Sequence, residues 1–262
     1  MSTRPSRPAR GRGRVLALLA GAAVIGLTAW SMVGIGFSLS ELLGNANRMN
    51  RLIDESFPPA WDFWPRLIGP LLETLQIAVI GSILGGVLAL PLAVMAARTV
   101  SPNRPLYWLN RNVMNVLRTM PDLFWAMLFA SAVGFGPFAG SLALTVFTVA
   151  VVSKLTSESI ESIDMNLTEA VRATGGNWFE TVWFSVLPQA LPQYVSYVLY
   201  AFELNVRAST VLGLVGAGGI GMVLNTQRTT FQYDRVTMIV LFVFLVVLVI
   251  EQISAAARRR LV

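Results

Sequence analysis

The chain contains no cysteine and no histidine among its 262 residues. Their absence excludes disulfides, thiolate nucleophiles, the usual zinc ligands and the side chain best suited to proton transfer near neutral pH. Lysine occurs once, at Lys154, and no G-x-x-x-x-G-K-[ST] motif surrounds it. Because that motif is what cradles ATP phosphates in a P-loop, we expect no ATP site here. We likewise expect no catalytic residue, no metal and no cofactor in this chain.

Charge is also scarce: only 13% of the residues are charged, whereas 55% are hydrophobic and the mean hydropathy is +0.63. A chain of this composition has too little polar surface to cover a soluble fold. The composition predicts an all-α, polytopic membrane protein in contact with the lipid bilayer. A nucleic-acid partner is not expected, because no basic soluble face with clustered aromatic residues is visible.

Six hydrophobic segments predict about six transmembrane helices. They are residues 15–37, 71–97, 119–133, 141–152, 191–212 and 236–257. The first is uncharged and, at about 1.5 Å per residue, covers a hydrocarbon core of roughly 30 Å. A signal peptide is the alternative for that segment, although the apolar run is long for one. In the second, Gly81 and Gly85 have the spacing of a close helix–helix contact.

The distribution of positive charge predicts the orientation. A cytosolic N-terminus puts 14 of the 20 lysine and arginine residues in cytosolic segments and five outside, as the positive-inside rule requires. Residues 1–14 and 258–262 are then basic cytosolic tails, residues 38–70 an extracytoplasmic loop, and residues 71–257 the core of the protein.

A polar segment, residues 156–190, interrupts the hydrophobic pattern on the predicted cytosolic side. Thr168-Glu169 is typical of a helix start, Gly175-Gly176 of a turn, and Pro188 of a helix stop. The pattern predicts two short helices joined by a tight turn, a shape that fits a groove on another protein. The acidic residues Glu158, Glu161 and Asp164 recur at helical spacing at the entry to this segment; they could serve an intramembrane enzyme or form a solvated acidic face.

A polar stripe runs along the fifth hydrophobic segment. Its residues, at intervals of three and four, are Gln189, Gln193, Ser196, Tyr200, Glu203 and Arg207. Such intervals put side chains on one helix face, and ionisable residues inside a membrane are functional candidates. The alternative is that Glu203 and Arg207, four residues apart, only neutralise each other.

A glycine-rich segment follows that helix. Gly216, Gly218 and Gly221 spell G-x-G-x-x-G, but the dinucleotide-binding motif needs a preceding strand and an acid about twenty residues on, and neither is present. We therefore expect a flexible or re-entrant segment, which also includes Gly219, at the outer face of the membrane.

The polar segment resembles a known family motif. Glu169-Ala170-Val171, Gly175 and Leu187-Pro188 match the cytosolic loop of the permease subunits of binding-protein-dependent ABC importers, which reads E-A-A, three residues, G, nine residues, I-x-L-P. Val171 replaces the second alanine, and Ser185 stands where a branched apolar residue is usual. Further segments resemble the phosphonate/phosphite branch, the PhnE family, over roughly residues 40–257: they include Phe57-Pro58-Pro59, Arg118-Thr119-Met120-Pro121-Asp122 and Phe202-Glu203-Leu204-Asn205-Val206-Arg207.

The resemblance implies a type I ABC importer permease fold in a bacterial inner membrane, with both termini cytosolic. It implies that an ATPase-coupling loop contains Glu169, Ala170, Gly175, Gly176, Asn177, Leu187 and Pro188. It implies that a translocation path is lined by Gln193, Ser196, Tyr200, Glu203, Asn205 and Arg207.

The resemblance also implies the partners and the substrate. The partners are a second, identical permease subunit, two cytosolic ATPases that carry ATP and magnesium, and an extracytoplasmic binding protein that delivers phosphonate, phosphite or a related oxyanion. The alternatives are a permease of the same fold for methionine, amino acids or another small solute, an intramembrane enzyme, and a purely structural membrane subunit.

Overall fold

Every regular element in the described residues, 10–38, 40 and 44–260 of this computed structural model, is helical. The chain divides into two compact units, residues 1–54 and 55–262. In the first, helix α1 (Arg10–Gly34) contains the apolar stretch Val15–Gly34, which is long enough to cross a membrane. Helix α2 (Ala46–Ser56) follows within the predicted extracytoplasmic loop. Both predicted basic tails extend outside the described residues.

The second unit begins with a 3-10 helix, Trp61–Leu67, that continues directly into α3 (Ile68–Ala96). Together they form a stretch of 36 residues, apolar enough to span a membrane. The helix therefore starts before residue 71, where hydropathy alone placed it, because the aromatic residues Trp61 and Phe63 extend the apolar segment at its start.

Two helices meet at a right angle after α3. Helix α4 (Arg104–Thr119) occupies the stretch between the second and third predicted segments, and α5 (Asp122–Val133) leaves it at 91°. Asn103 caps α4, since its side-chain oxygen accepts the Leu106 N–H at 2.9 Å. Helix α5 starts three residues later than predicted, after Pro121.

Helix α6 (Pro137–Glu161) is much longer than the predicted 141–152. It continues past the apolar segment because Lys154 pairs with Glu158 one turn further on, at 2.8 Å. The remaining helices are α7 (Met165–Ala173), α8 (Trp178–Thr181), a π-helical turn (Val182–Val186), α9 (Leu187–Gly213), α10 (Gly219–Thr229) and α11 (Tyr233–Arg258).

Helices α3 and α6 pack closely through the two glycines with G-x-x-x-G spacing. A Cβ atom on Gly81 would lie 2.6 Å from the Cβ atom of Leu144, and one on Gly85 would overlap the side chain of Thr148. Helix α9 packs against both α3 and α6. The glycines are therefore explained by close packing of helices.

Four of the described helices are long and apolar enough to cross a membrane, or five if the bent pair α4–α5 counts as one span. Helix α9 has 27 residues, about 40 Å at 1.5 Å per residue. It falls outside that group because its polar stripe lowers its hydropathy. All six predicted segments are thus helical. The fifth segment, which is α9, is more polar than the helices of that group.

Candidate functional site

The polar segment between α6 and α9, which we call the coupling loop (residues 156–190), begins with α7. Asp164 caps this helix, because its carboxylate accepts the Asn166 N–H at 2.9 Å. The predicted start at Thr168-Glu169 is therefore wrong by about one turn. Glu169 and Ala170 lie in the interior of α7 and are exposed to solvent.

Gly175 and Gly176 form the turn after α7, and glycine is needed at each position for a different reason. Gly175 has φ +87°, a conformation that side chains disfavour, yet a Cβ atom there would meet nothing within 4 Å. Gly176 is a close approach, since a Cβ atom would lie 2.8 Å from the carbonyl oxygen of Val171. Asn177 then caps α8 in a capping box: it accepts the Glu180 N–H, and the Glu180 carboxylate accepts the Asn177 N–H at 2.7 Å.

The helix that starts after this turn does not stop at Pro188. It continues from Trp178 through the π-helical turn into α9 and ends only at Gly213. The Leu187 N–H bonds to the carbonyl of Val182, five residues back, and this wider turn accommodates the proline ring and its missing N–H. The prediction of a second short helix is therefore wrong. The coupling loop and the polar stripe share one uninterrupted helix.

The two halves of the coupling loop are joined by a buried polar contact. The hydroxyl oxygens of Thr168 and Ser185 lie 2.7 Å apart, and both side chains are fully buried. Gln189 adds to the contact, because its Nε2 donates to the carbonyls of Ser185 at 2.9 Å and Asp164 at 3.3 Å. The family motif usually has an apolar residue at this position. Here a buried serine is accommodated, because Thr168 supplies a hydrogen-bond partner for its hydroxyl.

The coupling loop is also attached to the segment between α3 and α4. Glu161 Oε1 accepts hydrogen bonds from the backbone N–H of Arg98 at 2.9 Å and from Arg111 Nη1 at 3.1 Å. Trp178 Nε1 donates to the carbonyl of Val100 at 2.7 Å. The acidic residues at the entry to the loop each have a partner: Glu158 pairs with Lys154, Glu161 pairs with Arg111, and Asp164 caps α7.

The polar stripe of α9 starts beside the coupling loop and reaches a charge cluster around the buried Glu203. Gln189 and Gln193 line a cavity of about 550 Å³ with Glu158. Ser196 is nearly buried and Tyr200 is exposed. One turn further on, Glu203 is only 6% exposed.

Glu203 has two cationic partners, of which the stripe supplies only one. Arg207 Nη2 donates to its Oε1 at 2.7 Å, and Arg258 donates to its Oε2 at 3.2 Å. Arg207 also donates to Glu251 at 3.1 Å. The result is a four-charge network that joins α9 to α11. Because Arg258 is the last residue of α11, Glu203 lies beside the C-terminal end of that helix.

Asn205 does not belong to the stripe. It is fully buried on another face of α9, and its Nδ2 donates to Ser82 Oγ at 2.8 Å and to Thr148 Oγ1 at 2.7 Å. These bonds join α9 to α3 and α6. Asn205 is therefore a core contact between three helices and lies on a different face of α9 from the polar stripe.

The glycine-rich segment is packed rather than loose. Thr74 of α3 accepts the Ile220 N–H at 2.8 Å, and a Cβ atom on Gly219 would overlap the same threonine hydroxyl. A Cβ atom on Gly213 would lie 2.6 Å from the carbonyl oxygen of Gly218. Gly216, Gly218 and Gly219 have positive φ, whereas a side chain on Gly221 would overlap the carbonyl of Thr210. The segment is therefore packed against α3.

Three contributors to the site were not predicted from the sequence: Arg258, Glu251 and helix α4. Arg258 was assigned to a cytosolic tail, and Glu251 was hidden in an apolar helix. The signal for α4 was present, since Asn103 precedes Pro105 as in many helix starts and apolar residues recur three and four apart after it.

Comparison with known proteins identifies the family. Residues 89–262 match the family described as "Binding-protein-dependent transport system inner membrane component". The chain is 42% identical over 190 residues to the phosphate-import permease protein PhnE of Mycolicibacterium smegmatis, which covers 72% of this chain but only 36% of that protein. It is 35% identical over 236 residues to the phosphite transport system permease protein PtxC of Stutzerimonas stutzeri, which covers 90% of this chain and 85% of that one.

Solved structures show the same fold. An inward-facing structure of the MetNI methionine ABC transporter aligns with a TM-score of 0.68 and 24% identity, covering 78% of this chain and 99% of that one. An amino acid ABC transporter aligns with a TM-score of 0.63 and 21% identity, covering 76% of this chain and 95% of that one. At these identities the likeness establishes the type I ABC importer permease fold and nothing about the substrate.

Proposed function

Because the chain belongs to the family of binding-protein-dependent transport system inner membrane components, we propose that it is the permease subunit of an ATP-driven importer for phosphonate, phosphite or a related oxyanion. The observation that carries the substrate class is the agreement among relatives: those named for phosphate and phosphite import are 42% and 35% identical to this chain. The chain spans about a third of the first of these and most of the second.

The proposed complex contains a second copy of this chain, two cytosolic ATPases that bind ATP and magnesium, and an extracytoplasmic binding protein. Both termini lie in the cytosol, as the charge distribution favours. The exposed surface of the coupling loop supports an ATPase contact: Glu169 and Ala170 are exposed on α7, and the large apolar side chain of Trp183 is exposed on the second half.

The uninterrupted helix from Trp178 to Gly213 supports a mechanism of coupling. A displacement of the loop by the ATPases is carried along α9 to the polar stripe, because the helical path is continuous through the π-helical turn and past Pro188 and Pro192. The Thr168–Ser185 contact makes both halves of the loop move together. Substrate passes along the stripe face as the helices alternate between inward-facing and outward-facing states.

The test is reconstitution of the chain with its ATPase and binding protein in liposomes. We expect the binding protein loaded with phosphonate or phosphite to stimulate ATP hydrolysis and uptake, whereas methionine and amino acids give no stimulation. Stimulation by methionine instead would move the chain to the alternative substrate class. Turnover of a substrate without any ATPase would indicate an enzyme.

A single charge reversal tests the ATPase contact. Glu169 is exposed and has no bonding partner among the described residues, so Glu169→Lys should leave the fold intact while it weakens ATPase association or uncouples hydrolysis from uptake. Glu55→Lys is the matched control, because Glu55 is an exposed acid on the predicted extracytoplasmic side. Normal coupling in Glu169→Lys would contradict the assignment of α7 to the ATPase contact.

A further inference from the structure

Helix α4 has three distinct faces. Its inward face contributes Asn110 and Met114 to the core. At about 100° per residue, Arg104, Arg111 and Arg118 share a second face, since they are seven residues apart. A third face is apolar and exposed: Leu109, Val113 and Val116 are 62%, 41% and 56% exposed. An amphipathic helix with a basic face is typical of the membrane interface.

The orientation of α4 agrees with an interfacial position. Helix α5 belongs to the apolar bundle, and α4 meets it at 91°. If α5 lies along the bilayer normal, α4 lies in the plane of the membrane, with the apolar stripe toward the acyl chains and the arginine face toward the headgroups. The tryptophan at the start of α4, Trp108, is 59% exposed, as is common for aromatic residues at headgroup level.

A basic pocket lies at the start of α4. It has a volume of about 730 Å³, and its charged lining residues are Arg98 and Arg104. Neither guanidinium bonds to a carboxylate in the part of the chain that the structure describes. The nearby acid, Glu161, is already compensated by Arg111 at 3.1 Å. Two unpaired cations in one concave pocket favour an anionic ligand.

An apolar groove adjoins the basic pocket. Its volume is about 670 Å³, and Pro102 lines both cavities. The groove is lined by Leu90, Pro91 and Val94 of α3, Leu106 of α4, and Val182 before α9, without a polar surface. A cationic pocket beside an apolar groove matches an amphiphile with an anionic head and a hydrocarbon tail.

We propose that this pair of cavities, with Arg98 and Arg104 at the headgroup end and the groove at the acyl end, is a binding site for one anionic phospholipid of the adjacent leaflet. The backbone N–H of Arg98 and the guanidinium of Arg111 both donate to Glu161, at the entry to the coupling loop. A lipid bound at this site would therefore stabilise the region from which the loop departs. The proposal rests on the membrane placement proposed above, but it does not depend on the transported substrate.

Native mass spectrometry of the purified importer complex tests the site by titration with phosphatidylglycerol and with zwitterionic phosphatidylcholine. We expect tighter binding of phosphatidylglycerol. Since each arginine near an anionic surface contributes about 1 kcal/mol, Arg98→Gln/Arg104→Gln should weaken binding roughly thirtyfold. The control Arg259→Gln/Arg260→Gln removes the same charge from exposed positions at the end of α11 and should change little. Equal loss in both double variants would overturn the proposal.

The acyl end has its own matched pair. Leu90→Trp fills the groove without touching an arginine and should weaken phosphatidylglycerol binding, whereas Leu88→Trp, on an exposed face of the same helix, should not. Displacement of the lipid by millimolar inorganic phosphate would assign the pocket to a free anion instead. If the lipid-depleted Arg98→Gln/Arg104→Gln complex loses the ATPase, the pocket would be a protein contact instead.

The absence of cysteine allows a direct test of the position of α4. Spin labels on single cysteines at Leu109 and Val113 should be accessible to oxygen, which partitions into lipid, whereas labels at Asn112 and Asn115 should be accessible to a water-soluble nickel complex. Uniform access to the nickel complex at all four positions would place α4 in water and exclude the acyl part of the proposal.

Discussion

The hydroxyl groups of Thr168 and Ser185, 2.7 Å apart and both fully buried, form the contact that holds the two halves of the coupling loop together. They are seventeen positions apart in sequence, and the glycine turn lies between them. A serine in a position that is usually apolar would leave an unsatisfied polar group, and here Thr168 satisfies it. The departure from the family pattern is thus compensated within the loop.

This contact predicts a non-additive pair of substitutions. Thr168→Val and Ser185→Ala should each destabilise the loop by about 1–2 kcal/mol, because each leaves one buried hydroxyl without a partner. The double variant should lose less than the sum of the two, since no unpaired hydroxyl remains. Thermal unfolding of the assembled complex measures the difference. Strict additivity would show that the two hydroxyls do not depend on each other.

The two turn glycines should respond differently to substitution. Gly175 has a positive φ in open space, so Gly175→Asn should be tolerated better than Gly175→Val, because asparagine adopts this conformation more readily. Gly176→Ala should be harmful through the contact with Val171. Gly69→Ala is the control, since Gly69 is in a helix with nothing within 4 Å. ATPase binding and expression level are the measurements; equal tolerance of asparagine and valine at position 175 would argue against a conformational role.

Asn205 should behave as a core residue. Asn205→Ala removes two hydrogen bonds and leaves a cavity where three helices meet, so we expect a loss of about 2–4 kcal/mol. Asn112→Ala, on the exposed face of α4, should cost little. Thermal unfolding and the yield of assembled complex report the effect. A stable Asn205→Ala complex with impaired uptake would instead return this residue to the translocation path.

The sequence predicted the apolar helices and the turn of the coupling loop, because hydropathy and glycine conformation are local properties. It did not predict where Asn205 points, since only the neighbouring helices decide which face of α9 is buried. Pro188 suggested a helix stop because proline usually breaks a helix; a π-helical turn, which depends on the packing around it, accommodates the proline here. The second partner of Glu203 was also out of reach, because Arg258 is 55 residues away in the chain.

The orientation of the chain can be measured directly, because single cysteines can be introduced into a chain that has none. An impermeant thiol reagent applied to intact cells should label cysteines at Asp62 and Thr230, whereas cysteines at Asn112 and Thr174 should react only after permeabilisation. All four positions are exposed in the structure, so a lack of reaction reports sidedness rather than burial. Labelling of Thr174→Cys from outside would invert the topology and remove the basis for an ATPase contact.

The charge network around Glu203 separates a transport role from a structural one. Glu203→Gln should destabilise the complex most, because it leaves both Arg207 and Arg258 without their shared buried partner. Arg207→Gln and Arg258→Gln should each be milder, since Glu203 keeps one cation in either variant. The double neutralisation Glu203→Gln/Arg207→Gln does not restore a neutral pair, because Arg258 then lacks its carboxylate.

The two arginine variants are therefore a matched pair for uptake. Both remove one positive charge from Glu203, but only Arg207 lies on the polar stripe and is half exposed. Arg207→Gln also removes the pair with Glu251, which should cost little stability because both of those side chains are half exposed. If the stripe lines the path, Arg207→Gln should reduce oxyanion uptake per assembled complex, whereas Arg258→Gln should transport almost normally. The thermal stability of the two variant complexes should be similar. Equal uptake in the two variants would mean that Glu203 needs only one cation of either origin, and the network would then be a structural connection between α9 and α11.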